Sequence, residues 1–433
     1  MTAAASPTEG REQAATRRDV GAWGAAFLAL NGMIGAGIFG LPGKLDAAVG
    51  SFAPWLLLVA GLGVMLIALC YADLAARFDS SGGPQLYAGT AFGPFVGFQA
   101  GWMIYASRAA AMAANATVLT AYAGGIWAPL DGPATIIATI GAITLINVLG
   151  IRRAVSALGG LTLLKLTPLV LVAGLALVLA PIPAPTLPTF SVVEGVALVA
   201  LYAFVGFEAA TVPAGETRDP KRTIPKALLI TVALVTLLYV TVQLGYSASG
   251  LGASDTPLAD LAGRFLGPAG TLLLSLTAIV SVLANQLSAA ASMPRITSSL
   301  ADQAMLPRWF GRISPRFATP ANSVVVFGAL GAALALSGTF VTLAVISSLS
   351  RLFAYLACIA AVPRLDWLAR NVRWGRGVAL PLAAGALCLW AAAQSKTEEW
   401  QAFAAFLAGG SILYLIARLA ASKSQPPSAP IAG

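Results

Sequence analysis

Apolar residues run through most of this chain in unbroken stretches of about 20, separated by short polar turns. They neither alternate as in a half-buried strand nor repeat every third or fourth position as on a surface helix. A helix rising 1.5 Å per residue needs about 20 residues to cross a 30 Å hydrocarbon core. On that measure the pattern predicts twelve membrane-spanning helices, at 21–49, 53–75, 94–122, 133–150, 158–180, 193–214, 226–248, 267–292, 321–338, 341–362, 378–394 and 400–420. The loops between them leave no room for a soluble domain. Residues 1–19 are polar and Ala-rich and read as a disordered tail, with no cleavable signal ahead of the first span; residues 421–433 form a second tail.

Composition agrees. Of 433 residues, 58% are hydrophobic and 10% charged, with a mean hydropathy of +0.82, against about 25% charged in soluble domains. The expected class is therefore an all-α polytopic membrane protein, and long continuous runs exclude an outer-membrane barrel. The net charge of +9 is a topology signal. With both termini in the cytoplasm, the inside segments hold nearly all the Lys and Arg, and the outside keeps only Lys44, Arg264 and Lys396. No nucleic-acid partner is needed to explain it. Histidine is absent, and Cys70, Cys358 and Cys388 sit in apolar runs as core thiols. No metal, cofactor or enzyme constellation is visible, so neither a cofactor nor an enzymatic activity is expected.

Two spans are weakened at mid-depth. The first reads NGMIGAGIFGLPG over 31–43, with a break expected at Gly35-Ala36-Gly37; the sixth reads VALVALYAFVGFEAATVPAGE, with Gly206 and Glu208 near its middle. Glycine-interrupted spans at matching places in two halves point to a transporter site. If 20–180 and 190–365 are inverted repeats of five helices each, spans 1 and 6 correspond, and the pair over 377–420 lies outside the repeat. An interrupted helix frees N–H groups at the start of its second half and C=O groups at the end of its first. The positive end suits a carboxylate and the negative end an ammonium, and a zwitterionic amino acid carries both. For isolated glycines such as Gly24, close helix packing is the better reading.

At these residues the chain resembles the amino acid–polyamine–organocation superfamily, and a bacterial amino acid permease within it. The pieces are IGAGIFGLPG, YADLAARFDSSGGPQLYAGTAFGPFVGFQAGW, FVGFEAATVPAGETRDPKRTIPKA and SMPRITSSLADQAMLPRWFGRISPRFATP, in that order. The resemblance implies a LeuT-like 5+5 inverted-repeat fold with helices 1 and 6 broken, and transport of amino acids or related amines by alternating access. The family's substrate-binding motif falls on Ile34, Gly35, Ala36, Gly37 and Ile38, and on Tyr202, Phe204, Val205, Gly206 and Phe207. An aromatic at Tyr202 or Phe204 would cover the site as a gate.

Four charged residues fall deep inside spans, where charge by default marks function. Lys165 lies about 18 Å along span 5 from Arg153, near the midplane. Desolvation favours its neutral form, and the resemblance implies proton coupling there; a permanently charged structural lysine is the other reading. For Glu208 a structural latch and a titrating, pH-responsive group fit equally. Arg108 and Arg351 cannot carry protons. Structural pairing with Glu208 or helix-end carbonyls is preferred for both, and the sharper alternative has Arg108 binding a substrate carboxylate. Ser347, Ser348, Ser288 and Ser292 read as packing hydroxyls.

The expected function is secondary active uptake of amino acids, coupled to protons, with the apolar Ile34, Ala36, Val205 and Phe207 favouring neutral or small aliphatic substrates. An amino acid/polyamine antiporter or exporter is the alternative, and a channel or non-transporting sensor a different class. The expected setting is a bacterial inner membrane, with lipid around a monomer or homodimer.

Overall fold

The computed structural model describes residues 22–150, 152–212, 214 and 217–423, without the side chains of residues 22–23, 28, 152–165, 295 and 422–423. The expected tail at 1–19, and all but the first three residues of the tail at 421–433, lie outside the described residues. The side chain of Lys165 does too, although its backbone is helical.

The described chain is helical. It runs through α1 (Ala22–Met33), α2 (Ala36–Val49), α3 (Ala53–Ala75), α4 (Pro84–Phe92), α5 (Pro94–Ile126), α6 (Pro133–Val148) and α7 (Arg152–Leu179). It continues through α8 (Phe190–Tyr202), a 3₁₀ turn (Phe207–Thr211), α9 (Pro220–Ser249), α10 (Pro257–Asp302), α11 (Ala321–Ser337) and α12 (Phe340–Leu368). A π turn (Trp374–Ala379) leads into α13 (Leu380–Ala393), and α14 (Thr397–Lys423) ends it. Proline opens many of these helices, where its missing N–H costs nothing.

Among the described residues, 8 stretches are long and apolar enough to cross a membrane, and four shorter apolar helices accompany them, at Gly24–Met33, Pro133–Val148, Leu166–Leu179 and Ala321–Ser337. The protein is a polytopic membrane protein. Its outer surface fits that solvent: Leu187, Val178 and Leu62 are 85%, 82% and 58% exposed. In water such a belt would be an aggregation liability; in lipid it is the favoured face.

Several boundaries differ from those predicted. The helix α4 stands between spans 2 and 3, where the pattern gave only a loop. α10 extends well beyond 267–292 at both ends and bends at Gly267, whose φ of 65° and following Pro268 account for the kink. α9 starts at Pro220, ahead of the predicted 226, and Asp219 adopts a left-handed conformation that turns the chain into it.

Both broken spans run through the centre. Residues 33–43 and 197–208 are buried. α5 packs along α10 and α12, α9 along α3 and α1, and α2 along α8. The breaks therefore face one another inside a wall of continuous helices.

Candidate functional site

The first break is short. Helix α1 stops at Met33, Ile34 and Gly35 leave helical geometry, and α2 resumes at Ala36, with Gly35 at φ −116° and ψ −141°. The second is longer. α8 ends at Tyr202, the chain tightens through i→i−3 bonds at Ala203, Phe204 and Val205, and Gly206 turns left-handed at φ 116° before the 3₁₀ turn. Glycine is required there, since other residues rarely sustain such a φ.

The polar groups freed by these breaks have named partners. The Ala36 N–H donates to Asn115 Oδ1 at 3.0 Å. Asn115 Nδ2 donates to Asn285 Oδ1 at 3.0 Å, and Asn285 Nδ2 donates to the Asn31 carbonyl at 2.5 Å and that of Gly32 at 3.4 Å. Tyr239 donates to the Met33 carbonyl at 3.2 Å. The two asparagines, from α5 and α10, thus link the start of α2 to the end of α1. In hydrocarbon those groups would otherwise each cost several kcal/mol.

A charged cluster ties the two breaks together. Arg108 on α5 donates from Nη1 to the Gly32 carbonyl at 3.3 Å and from Nη2 to the Gly206 carbonyl at 3.3 Å. Its Nη2 also meets Glu208 Oε1 at 3.2 Å. Glu208 Oε2 accepts from the Gly206 N–H at 3.0 Å and from the Tyr355 hydroxyl at 2.8 Å. Arg351 Nε lies 3.4 Å from Glu208 Oε1. Glu208 and Arg351 are each 1% exposed. A reciprocal serine pair places the two arginines: Ser107 Oγ donates to the Ser347 carbonyl at 2.8 Å, and Ser347 Oγ to that of Ser107 at 2.9 Å. Arg108 follows Ser107 directly, and Arg351 lies one turn beyond Ser347. The pairing of both arginines with Glu208 is thus present. The hydroxyls of Ser348 and Ser292 bond to carbonyls four residues back, as packing hydroxyls do.

A small cavity lies between the breaks. Gly35, Ala36, Gly37, Tyr202 and Val205 line it, as do Arg108, Asn115, Asn285 and Arg351. Of the other residues singled out in the sequence, Ile34 and Ile38 are buried away from its wall. Phe204 packs on Tyr239, ring centroids 5.4 Å apart. Phe207 faces Tyr71 and Tyr355 on the far side of Glu208, at 5.4 and 5.3 Å. Gly206 abuts Gly32. The wall is therefore more polar and more cationic than the apolar lining expected from Ile34 and Phe207. Asn115 and Asn285 escape a sequence reading confined to charges and serine hydroxyls; amide side chains inside apolar runs, Asn115 and the Asn285-Gln286 pair, are the available signal.

Two larger features flank the cavity. On the Tyr202 side, where Tyr202 meets Phe340 edge-on at 6.0 Å, a cavity of about 460 Å³ opens beneath a Lys44–Asp255 ion pair of 2.6 Å. At the opposite end, Asp73 and Asp366 share Arg77 and Arg373. Arg373 binds Asp73 through two bonds of 2.7 and 2.9 Å and Asp366 at 3.1 Å, and Arg77 contacts Asp73 and lies 2.9 Å from Asp366. Hydrogen bonding to Asp73 raises the Arg373 pKa above the usual arginine range. This ring joins the ends of α3 and α12. Arg77 and Arg373 had counted only as topology signals.

The family described as amino acid permease matches residues 20–417. This chain belongs to that family. The permease is 31% identical over 330 residues to an uncharacterized transporter of Mycobacterium tuberculosis, covering 74% of each chain. It is 26% identical to a methylthioribose transporter of Bacillus subtilis over 92% of this chain and 93% of that one. It is 29% identical over 275 residues to a cadaverine/lysine antiporter of Escherichia coli, covering 58% and 59%. The permease is a transporter by family, and its superfamily resemblance stands.

Proposed function

We propose that the protein is a secondary active transporter of amino acids, taking them up across the cell membrane by alternating access in symport with protons. The observation that carries this reading is the meeting of two helix breaks around a small cavity. The substrate's carboxylate would rest on the first amides of α2, at Gly37 and Ile38, which have no acceptor within their own helix. Its ammonium would face the carbonyl-rich end of α8. Tyr202 and Phe340 would close the site on one side, and the Asp73–Arg373 ring would close the other.

The same reading takes the chain as twelve crossings in a LeuT-like arrangement, with 20–180 and 190–365 as inverted repeats, both termini cytoplasmic and the 460 Å³ cavity facing outward. Lys165 is the proposed proton carrier, since a lysine near the midplane sheds its charge readily. Exchange of amino acids or amines is the second reading, favoured by the likeness to a cadaverine/lysine antiporter.

Purified protein in liposomes tests both. Uptake of labelled amino acids that rises with an imposed proton gradient, and loses that dependence in Lys165→Ala, is the expected result. Gradient-dependent uptake that survives Lys165→Ala removes Lys165 from the mechanism. Transport seen only with a counter-substrate inside establishes exchange.

A further inference from the structure

The charges around the central cavity do not balance. Among the described residues it has two guanidinium groups, Arg108 and Arg351, and one carboxylate, Glu208. Arginine stays protonated in proteins, and Glu208 already meets both arginines, Tyr355 and the Gly206 amide. Arg108 spends its terminal nitrogens on Glu208 and on the carbonyls of Gly32 and Gly206. Arg108 leaves only its Nε buried without a hydrogen-bond partner, whereas Arg351 leaves both Nε and Nη2 so. The Arg351 Nε has no more than the 3.4 Å ion-pair contact with Glu208, and its 1% exposed side chain borders the cavity. Buried unmet donors on a charged group are costly, and more so at membrane depth.

Resting on the permease reading above, we propose that the site takes an acidic amino acid, whose side-chain carboxylate docks on Arg351. A neutral zwitterion leaves the surplus positive charge as it is. A substrate of net charge +1 such as L-lysine doubles it, and the doubly charged cadaverine triples it. A substrate of net charge −1 cancels it and supplies the acceptor that the Arg351 fork lacks, a match of planar guanidinium to planar carboxylate. The carboxylate-binding role that the sequence offered as the alternative for Arg108 thus passes to Arg351, because both terminal nitrogens of Arg108 are engaged in holding the two breaks together.

The test uses the full chain in detergent and in liposomes, with L-glutamate and L-aspartate set against their amides L-glutamine and L-asparagine, and against L-lysine and cadaverine. An acid is expected to bind at least about tenfold tighter than its amide, the scale on which loss of a buried charge partner is felt. Arg351→Gln leaves a balanced Arg108–Glu208 pair and should erase that preference, bringing amide and acid to parity or beyond. Arg351→Lys keeps the charge and should keep the order of preference at lower affinity. If an amide or L-lysine binds the native protein as tightly as the acid, the inference is overturned whether or not the variants fold. It is overturned as well if Arg351→Gln retains the acid preference. If neutral amino acids are carried and acids are not, the charge inference fails while the permease reading stands. If no amino acid is bound or carried, both fail.

Discussion

Gly32 and Gly206 touch backbone to backbone. A Cβ added to Gly206 would come within 2.2 Å of the Gly32 carbonyl oxygen, and one added to Gly32 within 2.6 Å of the Gly206 oxygen. The two breaks are therefore one structural unit, and Arg108 reaches both carbonyls because they are side by side.

Gly206→Ala should damage the protein twice over. A non-glycine residue in the left-handed region costs about 1–2 kcal/mol, and at φ 116° with the Gly32 oxygen in the way the strain adds to it. The expected outcome is a lowered melting temperature in detergent and loss of transport. Gly141→Ala, where nothing lies within 4 Å, should leave transport intact and raise stability by up to about 1 kcal/mol, the helix-propensity difference.

Glu208→Gln removes the carboxylate on which two arginines converge. Breaking a buried ion pair from one side costs roughly 3–5 kcal/mol, and the 1% exposure of Glu208 leaves little water to offset it. A marked fall in melting temperature is expected. Combining it with Arg351→Met should recover part of the loss, since it removes a cation left without its partner while Arg108 keeps the Gly32 and Gly206 carbonyls. A double variant no more stable than the single would mean that the unpaired charge is not what destabilises Glu208→Gln.

Much of this centre could be read from residue types alone. Glycines clustered at mid-span announced both breaks, and Glu208 was a named partner for the deep arginines. The missed features share a physical reason. Asn115 and Asn285 carry no charge, so a charge inventory passes over them. Arg77 and Arg373 look like ordinary loop cations until the fold brings Asp73 and Asp366 between them. The short helix α4 is only 9 residues, too few for a hydropathy pattern to separate from a loop. The kink at Gly267 is hidden because it coincides with the start of the predicted span, and the helical stretch before it carries Asp260 and Arg264 and reads as a loop.

Tyr202→Ala should open the cavity toward the Lys44–Asp255 side. The readout is the reactivity of a cysteine placed by Ala36→Cys toward a membrane-impermeant thiol reagent. Cys70, Cys358 and Cys388 are all buried, so background labelling should be low. Faster labelling than in the Tyr202 parent is expected; an unchanged rate would remove Tyr202 from the gate.

Arg373→Ala should loosen the opposite end. Asp73 and Asp366 would lose one of the two cations they share, with Arg77 alone remaining between them. Gln85 lines the narrow space leading from Arg108 and Glu208 toward that end. A cysteine introduced by Gln85→Cys should then label faster from the Asp73 side. An equal rate with and without Arg373 would mean that the ring does not hold that end shut.

The central claim is that substrate is gripped where the two breaks meet, and a density map of the protein bound to a transported amino acid tests it most directly. The account predicts its α-carboxylate within hydrogen-bonding distance of the Gly37 and Ile38 amides, with Tyr202 covering it. A ligand seated instead in the cavity beside Lys44 and Asp255, with residues 34–38 and 203–206 making no contact, would contradict it.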